Sequence, residues 1–143
     1  MSAKYFLDTN IIVYSFETNQ HTKKEQALAL VKDALQSGNG IISTQVIQEF
    51  FNVAFRKFVT PPNVEDSKIY LKTVLNPLCK VYPDQSLYED CLKIRQETNY
   101  SFYDALILAG ALHGGCDILY SEDFQANQQI GGLRIINPFI PVE

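Results

Sequence analysis

The stretch Tyr5-Phe6-Leu7-Asp8-Thr9-Asn10 limits what this chain can fold into more than any other. Tyr5, Phe6 and Leu7 form an unbroken apolar run. Strands buried on both faces read this way, without alternation, and that is the habit of parallel sheets. Asp8 then falls at the carboxyl end of the strand, the edge where ligands bind in open α/β sheets. A carboxylate at that place has to be hydrogen-bonded, paired or bound to a cation, because an isolated buried charge is too costly. Two readings are open. Either Asp8-Thr9-Asn10 is an Asx-type cap opening the next helix, or Asp8 is one of several acids meeting at this edge. The choice depends on whether other acids converge there.

The rest of the chain supplies candidates. Apolar positions at helical spacing predict a helix over 23–36, ended by Gly38-Asn39-Gly40. Ile41-Ile42-Ser43 is a second strand, and Ser43 or Thr44 can cap a helix over 45–58. Within that helix Glu49 lies at the margin of the apolar stripe, where a snorkelling acid is also ordinary. Thr60-Pro61-Pro62-Asn63 breaks the chain. A further amphipathic helix is expected over 64–75, closed near Asn76-Pro77, then a strand over 78–82. Residues 86–98 read as a helix with Leu87, Cys91, Leu92 and Ile94 inward. The helix that follows Ser101 is apolar nearly all round through Leu112, so it should be central. Asp104 is the only charge in its first three turns. Ser101-x-x-Asp104 also has the form of a capping box, which would explain a first-turn acid through the helix dipole. A strand over 117–120 is followed by Ser121-Glu122-Asp123, and Leu133 to Ile136 is a last strand after the Gly131-Gly132 turn.

Strands separated by helices imply an α/β fold with a mostly parallel sheet and right-handed crossovers. The length suits one domain over 1–143. In that arrangement Asp8 and Asp123 both emerge on the carboxyl edge. Asp104, in a first helical turn, can point into the same crevice, and Glu49 can reach in from the side. Converging carboxylates repel one another, so they take up protons or a divalent cation neutralises them. Oxygen-only ligands suit Mg2+ or Mn2+, which can activate water against a phosphodiester. The chain shows no Gly-rich phosphate loop, no G-x-S-x-G and no Cys–His nucleophile pair.

Composition narrows the classes further. A net charge of −4 and a pI near 5.1 argue against a generally basic nucleic-acid-binding surface, though not against a local patch. Cys79, Cys91 and Cys116 form no C-x-x-C pair, so neither a zinc site nor a disulfide framework is expected. No apolar run is long enough to span a bilayer, and the N-terminus lacks a signal-peptide pattern. A cytoplasmic protein is expected.

These residues resemble the PIN-domain ribonucleases, the fold of the toxin in VapBC-type toxin–antitoxin pairs. The resemblance covers essentially the whole chain. It is carried by Phe6-Leu7-Asp8-Thr9-Asn10, by Glu49 in Val46-Ile47-Gln48-Glu49-Phe50, by Tyr103-Asp104-Ala105, and by Leu119-Tyr120-Ser121-Glu122-Asp123. It implies a metal-dependent endoribonuclease in which Asp8, Glu49, Asp104 and Asp123 form the metal-binding catalytic set, with Mg2+ or Mn2+ as cofactor. It also implies supporting roles for Ser121 and Asn10, an RNA substrate, a homodimer and a small antitoxin partner. Glu122 adjoins Asp123, and either acid can be the fourth ligand; the match favours Asp123. Arg56, Lys57 and Arg134 are candidate substrate contacts, set against the ordinary reading of solvated charges. The alternatives are a PIN-like scaffold that binds RNA or protein without cutting, and an acid-pocket protein of receiver or haloacid-dehalogenase type. The last lacks the D-x-D arrangement and the late lysine it would need.

Overall fold

The computed structural model describes residues 3–16 and 19–140. Its frame is one six-stranded sheet in the order β3-β2-β1-β4-β6-β5. The strands are β1 (Tyr5–Leu7), β2 (Gly40–Ser43), β3 (Cys79–Val81), β4 (Ile118–Tyr120), β5 (Gln129–Ile130) and β6 (Leu133–Ile136). All neighbours are parallel except β5 and β6, which form an antiparallel hairpin at one edge. β1 is central and all three of its residues are buried. That is the expected consequence of an apolar run with helices on both faces.

The crossovers are α1 (Thr9–Tyr14), α2 (His21–Ser37), α3 (Thr44–Lys57), α4 (Val64–Tyr70), α5 (Asn76–Leu78), α6 (Gln85–Glu97) and α7 (Phe102–His113). α2 ends at Gly38, whose φ of +75° is the left-handed C-terminal stop the glycine run announced. α7 buries Ala105 and the whole run from Ile107 to Ala111, so the helix that is apolar on every side is the central one. Ser101 caps it, accepting a 3.2 Å hydrogen bond from the Asp104 N–H. All three cysteines are buried. Among the described residues no helix is long and apolar enough to cross a membrane.

Four local expectations are corrected. The chain does not stop being helical at Asn76-Pro77. A π-helical turn, Leu71–Leu75, links α4 to α5, so the helical run carries Pro77 and ends one residue later, at Leu78. Leu92 faces outward and is 57% exposed, because α6 turns only Leu87, Cys91 and Ile94 to the core. Ser43 stands at the N-cap position of α3, yet its hydroxyl makes no capping bond and has no partner. The strand β5 was not expected: two residues carry too little pattern to read.

Strand register decides which residues stand beside Asp8. Leu7 of β1 lies opposite Tyr120 of β4, and the Asp8 N–H donates to the Tyr120 carbonyl at 3.1 Å. The ladder therefore runs one residue past both strands and sets Asp8 beside Ser121.

Two glycines give a test of the packing. A Cβ on Gly40 would come within 2.4 Å of the Ala34 Cβ and 2.5 Å of the Tyr5 ring. A Cβ on Gly110, inside α7, would meet nothing closer than 3.8 Å. Gly40→Ala should cost about 1–3 kcal/mol by overpacking. Gly110→Ala should stabilise by roughly 0.5–1 kcal/mol through helix propensity. Urea denaturation midpoints measure both, and shifts of the same sign would contradict this packing.

Candidate active site

Asp8 is the N-cap of α1, in extended backbone at φ −68°, ψ 162°. Its Oδ1 accepts the Thr9 N–H at 2.7 Å, and its Oδ2 accepts the Ser121 hydroxyl at 2.6 Å. The side chain is buried, and burial raises its pKa from 3.8 to about 7. The Ser121 and Thr9 hydrogen bonds pull the value down, whereas the charges of Asp123 and Glu49 push it up. Asp8 is thus a cap and also a carboxyl in the field of two other acids.

Ser121 is the hub of the arrangement. While its hydroxyl donates to Asp8, its oxygen accepts the Asp123 N–H at 3.1 Å and the Asn10 amide at 3.3 Å. The same Asn10 amide donates to Asp123 Oδ2 at 2.9 Å, and Asn10 Oδ1 accepts the Glu122 N–H at 3.4 Å. Asn10 therefore fixes the loop after β4 against the start of α1, and it holds the exposed Asp123 carboxylate in place.

Glu49 approaches from α3 and is half-buried. Its Oε1 accepts the Thr9 hydroxyl at 2.6 Å, and its Oε2 accepts the Gln45 amide at 3.2 Å. Glu122 turns the other way. It accepts Tyr14 at 2.6 Å and pairs with Lys23 at 2.5 Å. Burial pushes its carboxyl up, but the Lys23 and Tyr14 bonds outweigh that and hold it below the usual range. Of the two adjacent acids, Glu122 is already neutralised by a cation and Asp123 is not.

An open crevice of about 660 Å³ lies over these groups. Asn10, Asp123 and Glu122 line it, together with Glu49, Asn52, Arg56 and Lys57 of α3. Arg134 is on β6 and does not line it. The structure thus brings together Asp8, Glu49, Asp123, Asn10 and Ser121. Among the described residues Asp104 shares no hydrogen bond with them. Asp104 is half-buried in the first turn of α7 and does not line the crevice. Its link to the others is indirect: the neighbouring Tyr103 carbonyl accepts the Gln45 amide at 3.0 Å. Sequence reasoning missed Gln45. The available signal was an amide four residues before an acid on one helix face.

Among the described residues no three His, Cys, Asp or Glu side chains stand close enough to grip one ion together. The donors are nonetheless all oxygen and all acidic. They fit a hard cation held by one or two carboxylates and its own water, as Mg2+ commonly is, and not a dry cage of four side chains.

Fold and site together define an α/β domain with acids at the carboxyl edge of a parallel sheet. The PIN domain family model matches residues 5–129, and the chain belongs to that family. Its fold is VapC-like. A chain of a toxin–antitoxin complex from Klebsiella pneumoniae superposes with a TM-score of 0.65 at 21% identity, covering 94% of this chain and 98% of that one. A chain of DNA-bound VapBC from Salmonella typhimurium gives 0.64 at 20% identity, with 94% and 97% covered. Mycobacterium tuberculosis VapC20, a sarcin–ricin loop cleaving toxin, gives 0.58 at 20% identity, with 84% and 90% covered. Compared by sequence with curated proteins, the chain has no match.

The raised pKa of Asp8 has a measurable consequence. Its folded value, about 7, lies above its ordinary value of 3.8, so between the two the folded state holds a proton that the unfolded state has lost. Stability of the metal-free protein is therefore greatest at the low end of this window and falls as pH rises through about 7. The full cost at high pH is on the order of 4 kcal/mol. Asp8→Asn removes the charge and keeps an acceptor for Thr9. In chelator it should raise the Tm clearly at pH 8 and much less at pH 5. An equal effect at both values would contradict the assignment.

Proposed function

We propose that this chain is a divalent-metal-dependent endoribonuclease of the VapC type. The observation that carries the proposal is the buried Asp8 carboxyl, fixed by Ser121 and flanked by Glu49 and Asp123 under an open crevice. One or two of Asp8, Asp123, Asp104 and Glu49 would ligate Mg2+ or Mn2+ directly, and the others would act through the water that the ion keeps. The ion, when bound, supplies an activated water and neutralises charge building on the scissile phosphate.

The chain's own groups prepare that event. Thr9 and Ser121 fix both oxygens of Asp8. Thr9 also fixes Glu49, and Asn10 fixes Asp123. Arg56 and Lys57 line the same crevice as Glu49 and Asp123 and would meet flanking phosphates of an RNA strand. Such contacts position a backbone without reading sequence. The sarcin–ricin loop activity of the VapC20 toxin supports RNA as the substrate class, and the toxin–antitoxin complexes among the structural neighbours support a small antitoxin partner. A homodimer in the cytoplasm, built from one domain over 1–143, completes the proposal.

The spacing of the acids favours one other reading. Because no three of them among the described residues grip a common point, a PIN-like scaffold that binds RNA or protein without cutting is the competitor. The two are separated by incubating labelled RNA with the purified protein in Mn2+. The parent should cleave, and Asp8→Asn, Asp104→Asn and Asp123→Asn should each lose roughly 100-fold or more in rate. A parent that binds RNA yet neither cleaves it nor binds Mn2+ in calorimetry is the scaffold.

A further inference from the structure

The Gln45 amide makes a bridge that the proposed function does not use. Gln45 is the second residue of α3 and is buried, with 7% of its surface exposed. Its Nε2 donates to Glu49 Oε2 at 3.2 Å and to the Tyr103 carbonyl at 3.0 Å. A carboxylate and a carbonyl can only accept, so the amide orientation is forced: nitrogen toward both, oxygen away. The oxygen is closed off from solvent and has no partner, and Gln45 lines a small cavity of about 60 Å³. The Ser43 hydroxyl, 5% exposed, lines the same cavity and is also without a partner.

This is an expensive way to fill space. An apolar side chain of the same length would remove this unsatisfied oxygen, though it would also leave Glu49 Oε2 without its donor. What the amide uniquely provides is a tie between two helices. It joins Glu49, one turn along α3, to the first turn of α7, where Asp104 follows Tyr103.

We infer that Gln45 is a positioning residue that sets the Glu49 carboxylate and the Asp104-bearing turn of α7 in one fixed relation. The inference rests on the nuclease reading, since it assigns those two acids a common task. Thr9 holds one oxygen of Glu49 and Gln45 holds the other, so the carboxylate plane is determined only when both are present. Groups that orient a metal-binding carboxylate in this way affect both affinity and rate.

The test uses Gln45→Met, which keeps length and volume and removes both donors and the orphaned oxygen. Four quantities are measured: the Tm, the Mn2+ dissociation constant of the RNA-free protein by calorimetry, and kcat and KM for RNA cleavage. The Tm should hold or rise, because no unsatisfied polar atom is left on residue 45. Mn2+ affinity and kcat should each fall about tenfold or more, with KM little changed. Gln45→Glu, which sets a carboxylate against Glu49 and the Tyr103 carbonyl, should lose more than Gln45→Met. A Gln45→Met protein with the parent's Mn2+ affinity and kcat overturns the inference, since the residue would then only fill space. A parent that binds Mn2+ without cutting RNA leaves the decision to the affinity change alone. A parent that does neither overturns the nuclease reading and this inference with it.

Discussion

Holding a carboxyl group out of water at the end of a central strand is the constraint on which the rest of this structure depends. Asp8 is buried, and the two short hydrogen bonds it accepts do not fully offset the loss of water. Its position is not adjustable. β1 is paired on both sides, and the ladder to β4 continues through the Asp8 N–H. The same register brings Ser121 alongside, so the hydroxyl that steadies Asp8 is delivered by sheet geometry and needs no loop rearrangement. A slip of one residue would turn Asp8 away and break the hub.

From that fixed point the polar groups extend outward in order of exposure. Thr9 and Asn10, the next two residues of the chain, each restrain one further acid: Glu49 of α3 and Asp123 of the loop after β4. One short segment thus holds carboxylates from three parts of the sequence. Glu122 lies next in line but is removed from this charge balance by Lys23, which also stacks over the Tyr14 ring at 4.7 Å. The result is a crevice lined by Glu49 and Asp123 and, further along α3, by the cationic Arg56 and Lys57.

Much of this was legible in the sequence, and for identifiable reasons. A doubly buried strand such as Tyr5–Leu7 leaves no ambiguity of face, and acids that follow such strands have only one edge to occupy. The central helix announced itself by having a single charge in its first three turns. What stayed hidden depends on distance between elements. The outward turn of Leu92 follows from how α6 is rotated on α7, which periodicity alone does not fix. The π-helical turn at Leu71–Leu75 absorbs one extra residue without any local marker. Ser43 has the right residue type for a cap, yet its hydroxyl is left without a partner beside a cavity that α7 helps to close. The separation of Asp104 from the other acids, and the amide that bridges it, also arise from helix packing and not from spacing along the chain.

The central claim is that Asp8 is an acid kept near its titration point until a cation arrives. Its ionisation can be followed directly by carboxyl-carbon NMR across pH, with and without Mg2+. Without the ion the account predicts a midpoint near 7. With Mg2+ it predicts a fall of the midpoint into the ordinary carboxylate range, because a bound cation displaces the proton. An ordinary midpoint in the metal-free protein, or one near 7 that Mg2+ leaves unmoved, would contradict it.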